Sequence, residues 1–90
     1  MFEQTMELRG IPLSHLVAYL IECKGSAKSD TLPILVEGDR WQAELLREET
    51  VTVTSRFHVN AVFIRFSAAD EETFARLMKR FRVKVMRVGG

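Results

Sequence analysis

The chain predicts an α+β domain, an antiparallel sheet carrying two helices on one face, in the order β-α-β-β-β-β-α-β. Three observations carry that expectation. The opening segment alternates apolar and polar residues with period two. Two later segments place apolar residues at i, i+3, i+4 and i+7, and between them lie several β-prone stretches separated by only a few residues. Short connections make successive strands antiparallel, whereas parallel strands need long crossovers, so a βαβ nucleotide-binding fold is excluded. Ninety residues suit a single domain, 1–90.

Taken in order, residues 2–9 set Phe2, Met6 and Leu8 on one parity and Glu3, Thr5, Glu7 and Arg9 on the other, a half-buried strand that Gly10 and Pro12 end. From Pro12 to Lys24 the period changes to that of a helix, with Leu13, Leu16, Val17 and Leu20 on one stripe. Pro12 suits its first turn and Gly25 its C-terminal cap. Residues 25–30, small and polar, read as a loop. Leu32 to Glu37 forms a short strand, with Pro33 suited to a strand start or an edge. Gly38-Asp39 supplies a two-residue turn and Trp41 to Leu46 returns beside it. Thr50 to Ser55 and Phe57 to Phe66 complete four consecutive antiparallel strands.

The second helix carries the fullest set of signals. Ser67 and Asp70 are spaced as a capping pair, Asp70, Glu71 and Glu72 acidify the first turn, and Lys79, Arg80 and Arg82 make the last turn basic. Phe74, Leu77, Met78 and Phe81 form the stripe that lies on the sheet. Val83 to Val88 alternates again and predicts a final strand or extended tail.

Thirteen Lys and Arg against twelve Asp and Glu leave a net charge of +1, which excludes non-specific nucleic-acid binding by the whole domain. The charge is uneven, because Arg76, Lys79, Arg80, Arg82, Lys84 and Arg87 follow one another with no intervening acid. A basic patch near the C-terminus is expected. Cys23 is the only cysteine, so no intramolecular disulfide forms and a reducing cytoplasm is the expected compartment. The first residues lack the basic and apolar regions of an export signal, and no apolar run is long enough to span a bilayer.

The chain ends on Gly89-Gly90, slender residues that leave an accessible carboxylate. In this the tail is similar to that of ubiquitin-like sulfur carriers. That similarity implies Gly90 as the reactive terminus, Gly89 as the narrow approach and Arg87 and Val88 as proximal contacts. The strand order differs from the β-grasp of those carriers, which opens with a hairpin before its main helix. Over nearly the whole chain, Met6-Glu7-Leu8-Arg9-Gly10-Ile11-Pro12-Leu13, Asp39-Arg40-Trp41-Gln42-Ala43-Glu44-Leu45 and Phe81-Arg82-Val83-Lys84-Val85-Met86-Arg87 resemble the small C-terminal domain of MoaD-related proteins. The resemblance implies a TBP-like α+β fold and an accessory role near molybdopterin assembly. In those proteins the domain follows a ubiquitin-like carrier domain, which these residues do not include.

The remaining chemistry is sparse. His15 and His58 have no Cys, His, Asp or Glu at metal-ligand spacing, so neither zinc nor iron is expected. His15, Tyr19 and Glu22 share the helix face opposite the Leu stripe and read as a solvated surface. Cys23 lies near a helix C-terminus, where the dipole disfavours a thiolate, and reads as a packing residue, as do Trp41, Leu45, Phe74 and Phe81. The strand at 57–66 is apolar on both parities, and Val59, Ala61 and Phe63 on its second face are candidates for a dimer or ligand surface.

Together these readings predict a non-enzymatic accessory or protein-interaction module with no catalytic residue, metal or cofactor. Arg82, Lys84 and Arg87 serve as its partner contacts. The expected partner is an adenylating enzyme or another protein of the molybdopterin pathway, with a homodimer as a further association and neither nucleic acid nor membrane as a target. Two other readings stand beside it: a carrier or modifier activated at Gly90, and a small-ligand-binding domain using the cleft between sheet and helices.

Overall fold

A computed structural model describes residues 1–89, with side-chain environments given through Met86. Its elements are β1 (Phe2–Arg9), α1 (Leu13–Glu22), β2 (Ser26–Ala27), β3 (Ile34–Gly38), β4 (Trp41–Thr54), β5 (Phe57–Ala68) and α2 (Glu71–Gly89). The strands form one antiparallel sheet in the order β1-β5-β4-β3-β2, so the first strand pairs with the last and closes the fold across the chain.

One face of that sheet carries the core. Val36 of β3, Ala43 and Leu45 of β4, and Val62, Ile64 and Phe66 of β5 are fully buried. They pack with Leu16 and Leu20 of α1 and with Phe74, Leu77, Met78 and Phe81 of α2. Both helical stripes therefore land on the sheet as their periodicity predicts, and the Phe66 and Phe81 rings meet edge to face at 5.4 Å. Phe2, Met6 and Leu8 of β1 pack against the rim of this core, while the opposite parity is exposed.

The element order departs from expectation at three places. Among the described residues no strand follows α2. The helix runs on through the segment predicted as a final strand, because nothing between Arg82 and Val88 stops it and Val85, four residues beyond Phe81, extends the same stripe onto the core. The stretches 41–46 and 50–55 are one strand, joined through a register shift that pairs Leu45 with Ile64 and Arg47 with Phe63. The extra residue, Leu46, reverses the parity of β4, so no single alternation spans the two stretches and they read as separate strands. The segment 25–30, predicted as loop, contributes the two-residue β2, paired with Val36 and Glu37.

Local punctuation is also displaced. Ser67 belongs to β5 and points its hydroxyl towards Glu3 (3.4 Å), so it does not cap α2. Asp70 alone is the cap, its Oδ1 accepting the Thr73 N–H at 2.7 Å. Gly38 ends β3 opposite Trp41, which moves the turn to Asp39-Arg40. At the end of α1 the left-handed residue is Lys24 (φ 76°), not Gly25. The Lys24 N–H bonds to the Ile21 carbonyl at 2.9 Å and the Gly25 N–H to the Leu20 carbonyl at 3.0 Å, the paired bonds of a Schellman motif.

Beyond the core, β4 and β5 continue as a two-stranded arm. β3 pairs with β4 only as far as Leu45, and β1 pairs with β5 only from Ala61 onward. The arm accounts for a molecule 42 Å long against 27 and 21 Å across. Asn60 pins its base: its Nδ2 donates to the Ile11 carbonyl (2.6 Å) and to Glu48 (2.9 Å), and its own carbonyl accepts from Gly10 (2.9 Å).

Candidate functional site

Where the C-terminal end of α1, the β3–β4 turn and the first three turns of α2 converge, they enclose a cleft of about 320 Å³. Four cations line it: Lys24 from the α1 cap, Arg40 from the turn, and Arg76 and Arg80 from successive turns of α2. Asp39 is the one acid among its lining residues, and Trp41 and Leu77 give it an apolar wall. The turn is tied to the start of α2 by several bonds. The Arg40 carbonyl accepts the Ala69 N–H at 2.8 Å, and the Arg40 guanidinium donates to Asp70 at 2.7 Å. The bond from the Thr73 N–H, aided by the Thr73 hydroxyl and by Arg40, holds the Asp70 carboxyl below the usual carboxylate range.

Cys23 lies in the floor of this cleft, only 3% exposed and part of the core cluster. Burial pushes its thiol pKa up, partly opposed by the charges of Lys84 and Arg80 and reinforced by Glu22. The sulfur is therefore a protonated packing group at neutral pH, as the sequence reading has it.

A second, shallower depression continues from the first along α2. It shares Lys24, Arg76 and Arg80 and adds Lys79 and Lys84, with Glu22 on its rim. Six of the thirteen Lys and Arg of the chain thus gather at one end of the molecule. The sequence reading found the α2 members of this group as a linear run but not Lys24 and Arg40. Only the fold brings those two to the helix, and their one sequence signal is a position in a turn.

Of the residues predicted as partner contacts, Arg82 and Lys84 face different ways. Lys84 turns back to Glu22 of α1 (3.3 Å), with its side chain 19% exposed, and braces the two helices together. Arg82 points away from it, about 200° around the helix, and borders a depression beside Phe2, Phe74 and Met78. Arg87 lies in the last described turns of α2, as does Gly89, and Gly90 lies outside the described residues.

On the sheet face away from the helices, Ala61 is fully buried and Val59 and Phe63 are half-buried. The Arg47 guanidinium covers the Phe63 ring at 4.0 Å, and Arg65 pairs with Glu44 beside it. Charged stems therefore roof much of this strip, and the openly apolar residues, Val53 and Phe57, sit further out near the tip of the arm. Of the two imidazoles, His15 is exposed beside Tyr19, and His58 shares a hydrogen bond with the Thr52 hydroxyl at 3.2 Å. Among the described residues no group of three or more His, Cys, Asp or Glu is placed to hold a metal, and no helix is long and apolar enough to cross a membrane.

Fold and site together define a small α+β protein whose charged groups converge on a surface cleft. The family profile for archaeal MoaD-like proteins matches residues 4–90, and the chain belongs to that family. No curated protein matches it.

Proposed function

We propose that the protein is a non-enzymatic accessory module of sulfur-carrier or molybdopterin biology, acting in a reducing cytoplasm by docking on a protein partner. The partner is an adenylating enzyme or another protein of that pathway. The observation that carries this reading is the way α2 outruns its packing. Among the residues with described side chains Phe81 is the last fully buried one, and beyond it Val83 (52% exposed) and Met86 (72% exposed) stand near exposed Arg82. A helical end that offers apolar side chains within a basic surround suits an acidic, partly greasy groove. The test is calorimetric titration of the protein against the adenylating enzyme of its own source. Arg82→Glu with Met86→Ala should weaken binding at least tenfold, about 1.4 kcal/mol, without changing the thermal midpoint, and unaltered affinity rejects the docking role. Self-association through Val59 and Phe63 is a further association of the same module, read by sedimentation velocity.

A second reading, a carrier activated at Gly90, is favoured by the extent of the family match, which runs through the diglycine. Gly89 lies in the last turn of α2, and glycine, which costs roughly 1 kcal/mol against alanine within a helix, lowers the cost of opening that turn towards an enzyme's active site. Intact mass of the protein isolated from its own cells would then reveal exchange of one carboxylate oxygen for sulfur. Its consistent absence in cells making the cofactor removes the carrier reading and leaves the docking one standing.

A further inference from the structure

We infer that the cleft between the α1 cap, the β3–β4 turn and α2 binds a small phosphate monoester. Lys24, Arg40, Arg76 and Arg80 contact the phosphate, and Trp41 and Leu77 form the wall for its organic part. This inference stands independently of the docking and carrier readings.

The first support is charge. The cleft collects four cations and one acid in a chain whose net charge is +1, and Lys79 extends the positive surface alongside, Lys84 there being paired with Glu22. Within the described residues, Arg40 and Arg76 are braced by Asp70 (2.7 Å) and Glu72 (2.6 Å), whereas Lys24 and Arg80 form no ion pair. Two guanidiniums are thus held in place and two further cations remain available to a ligand.

Backbone conformation is the second support. Among the described residues only two non-glycine positions have φ in the left-handed region, Lys24 (76°) and Arg40 (67°), and both line this cleft. Each sits where a glycine would be the easier choice, one at the C′ position of a Schellman motif and one in a tight turn. Retaining a long cation at both is a cost to folding, since glycine would make the same Schellman bonds and, among the described residues, the Lys24 side chain forms no hydrogen bond or ion pair in return; such strain gathers at functional sites.

The third support is size and lining. About 320 Å³ lies at the lower end of the range for small-molecule sites, enough for a phosphate and a short organic group but not for a large cofactor. The Schellman bonds occupy the Leu20 and Ile21 carbonyls, so the negative pole of α1 is blunted where an anion would sit. Trp41 is the only tryptophan of the chain and lines this cleft, so its fluorescence is a probe of ligand binding there once paired with variants at Lys24 and Arg80.

The experiment is a Trp41 fluorescence titration with glycerol 3-phosphate, with inorganic phosphate and with a short single-stranded oligonucleotide, at constant ionic strength set by chloride. The ester should give a saturable change and bind more tightly than inorganic phosphate. Lys24→Gly should weaken the ester about tenfold while raising the thermal midpoint, because glycine takes the left-handed conformation freely. Arg80→Gln should weaken it similarly with the midpoint unchanged. Opposed movement of affinity and stability in one variant is not what a purely structural lysine produces. Absence of saturation by the ester, full affinity in both variants, or a response to the oligonucleotide alone would each overturn the assignment.

Discussion

The β4–β5 ladder is one continuous antiparallel pairing, yet its two ends differ completely. At the near end, Ala43, Leu45, Ile64 and Phe66 lie beneath both helices and are inaccessible to water. At the far end the same strands carry Val53 (54% exposed) and Phe57 (56% exposed), and no helix covers them. Strand propensity is comparable at both ends, since valine, threonine and phenylalanine favour β structure in either place. What differs is the third partner. Only where α1 and α2 cover the sheet does apolar area leave water, and only there do the side chains contribute strongly to stability.

The largest test of that contrast is a pair of identical truncations. Phe66→Ala should cost about 3–5 kcal/mol, because it empties a site walled by Phe81, whereas Phe57→Ala at the far end should stay within about 0.5 kcal/mol. Urea unfolding measures both, and near-equal losses would break the distinction between the two ends.

A smaller effect is expected at the boundary. Asn60→Ala removes the donor to Ile11 and Glu48 and should cost about 1 kcal/mol. Amide exchange should quicken around Val51 and Val59 while the amides of Ile64 and Phe66 keep their protection relative to global unfolding. Faster exchange throughout would show that the arm is not a separate unit.

The smallest effect concerns the cap that starts the helical roof. Asp70 is ionised more readily in the folded chain than its ordinary value of 3.8. A lowered folded pKa contributes stability that is present above the unfolded value and lost as pH falls through the folded one. Asp70→Ala should therefore lower the thermal midpoint by a few degrees at neutral pH, and the difference from the native chain should shrink as pH drops below about 3.8. A gap that persists unchanged in acid would assign the loss to the capping hydrogen bond of a neutral carboxyl and not to its charge.

Much of the near end was legible in the sequence. Leu16 and Leu20, the Phe74, Leu77, Met78 and Phe81 stripe, and the Val62, Ile64 and Phe66 parity all lie where their spacing puts them. The errors arose where a local pattern fits two structures. Val83 to Val88 satisfies period two, yet Val85 also continues the helical stripe from Phe81, and without a breaker the helix wins. The basic cleft was half legible. Arg76 and Arg80 are one helical turn apart in sequence, but Lys24 and Arg40 reach them only through the packing of α1, β3 and β4, which no window of neighbouring residues contains.

Leu46 has a consequence out of proportion to its size. As the additional residue in β4, it lets Val51 stand directly across from Val59 on the side turned away from the helices. Were Leu46 paired regularly with Phe63 instead of bulging, Val51 would turn to the helix side opposite His58 and Val59 would face Thr50, so the two valines would lie on opposite faces of the sheet. A single residue of slack thereby decides that the outstretched hairpin has one oily side and one hydroxyl-rich side, not two mixed ones.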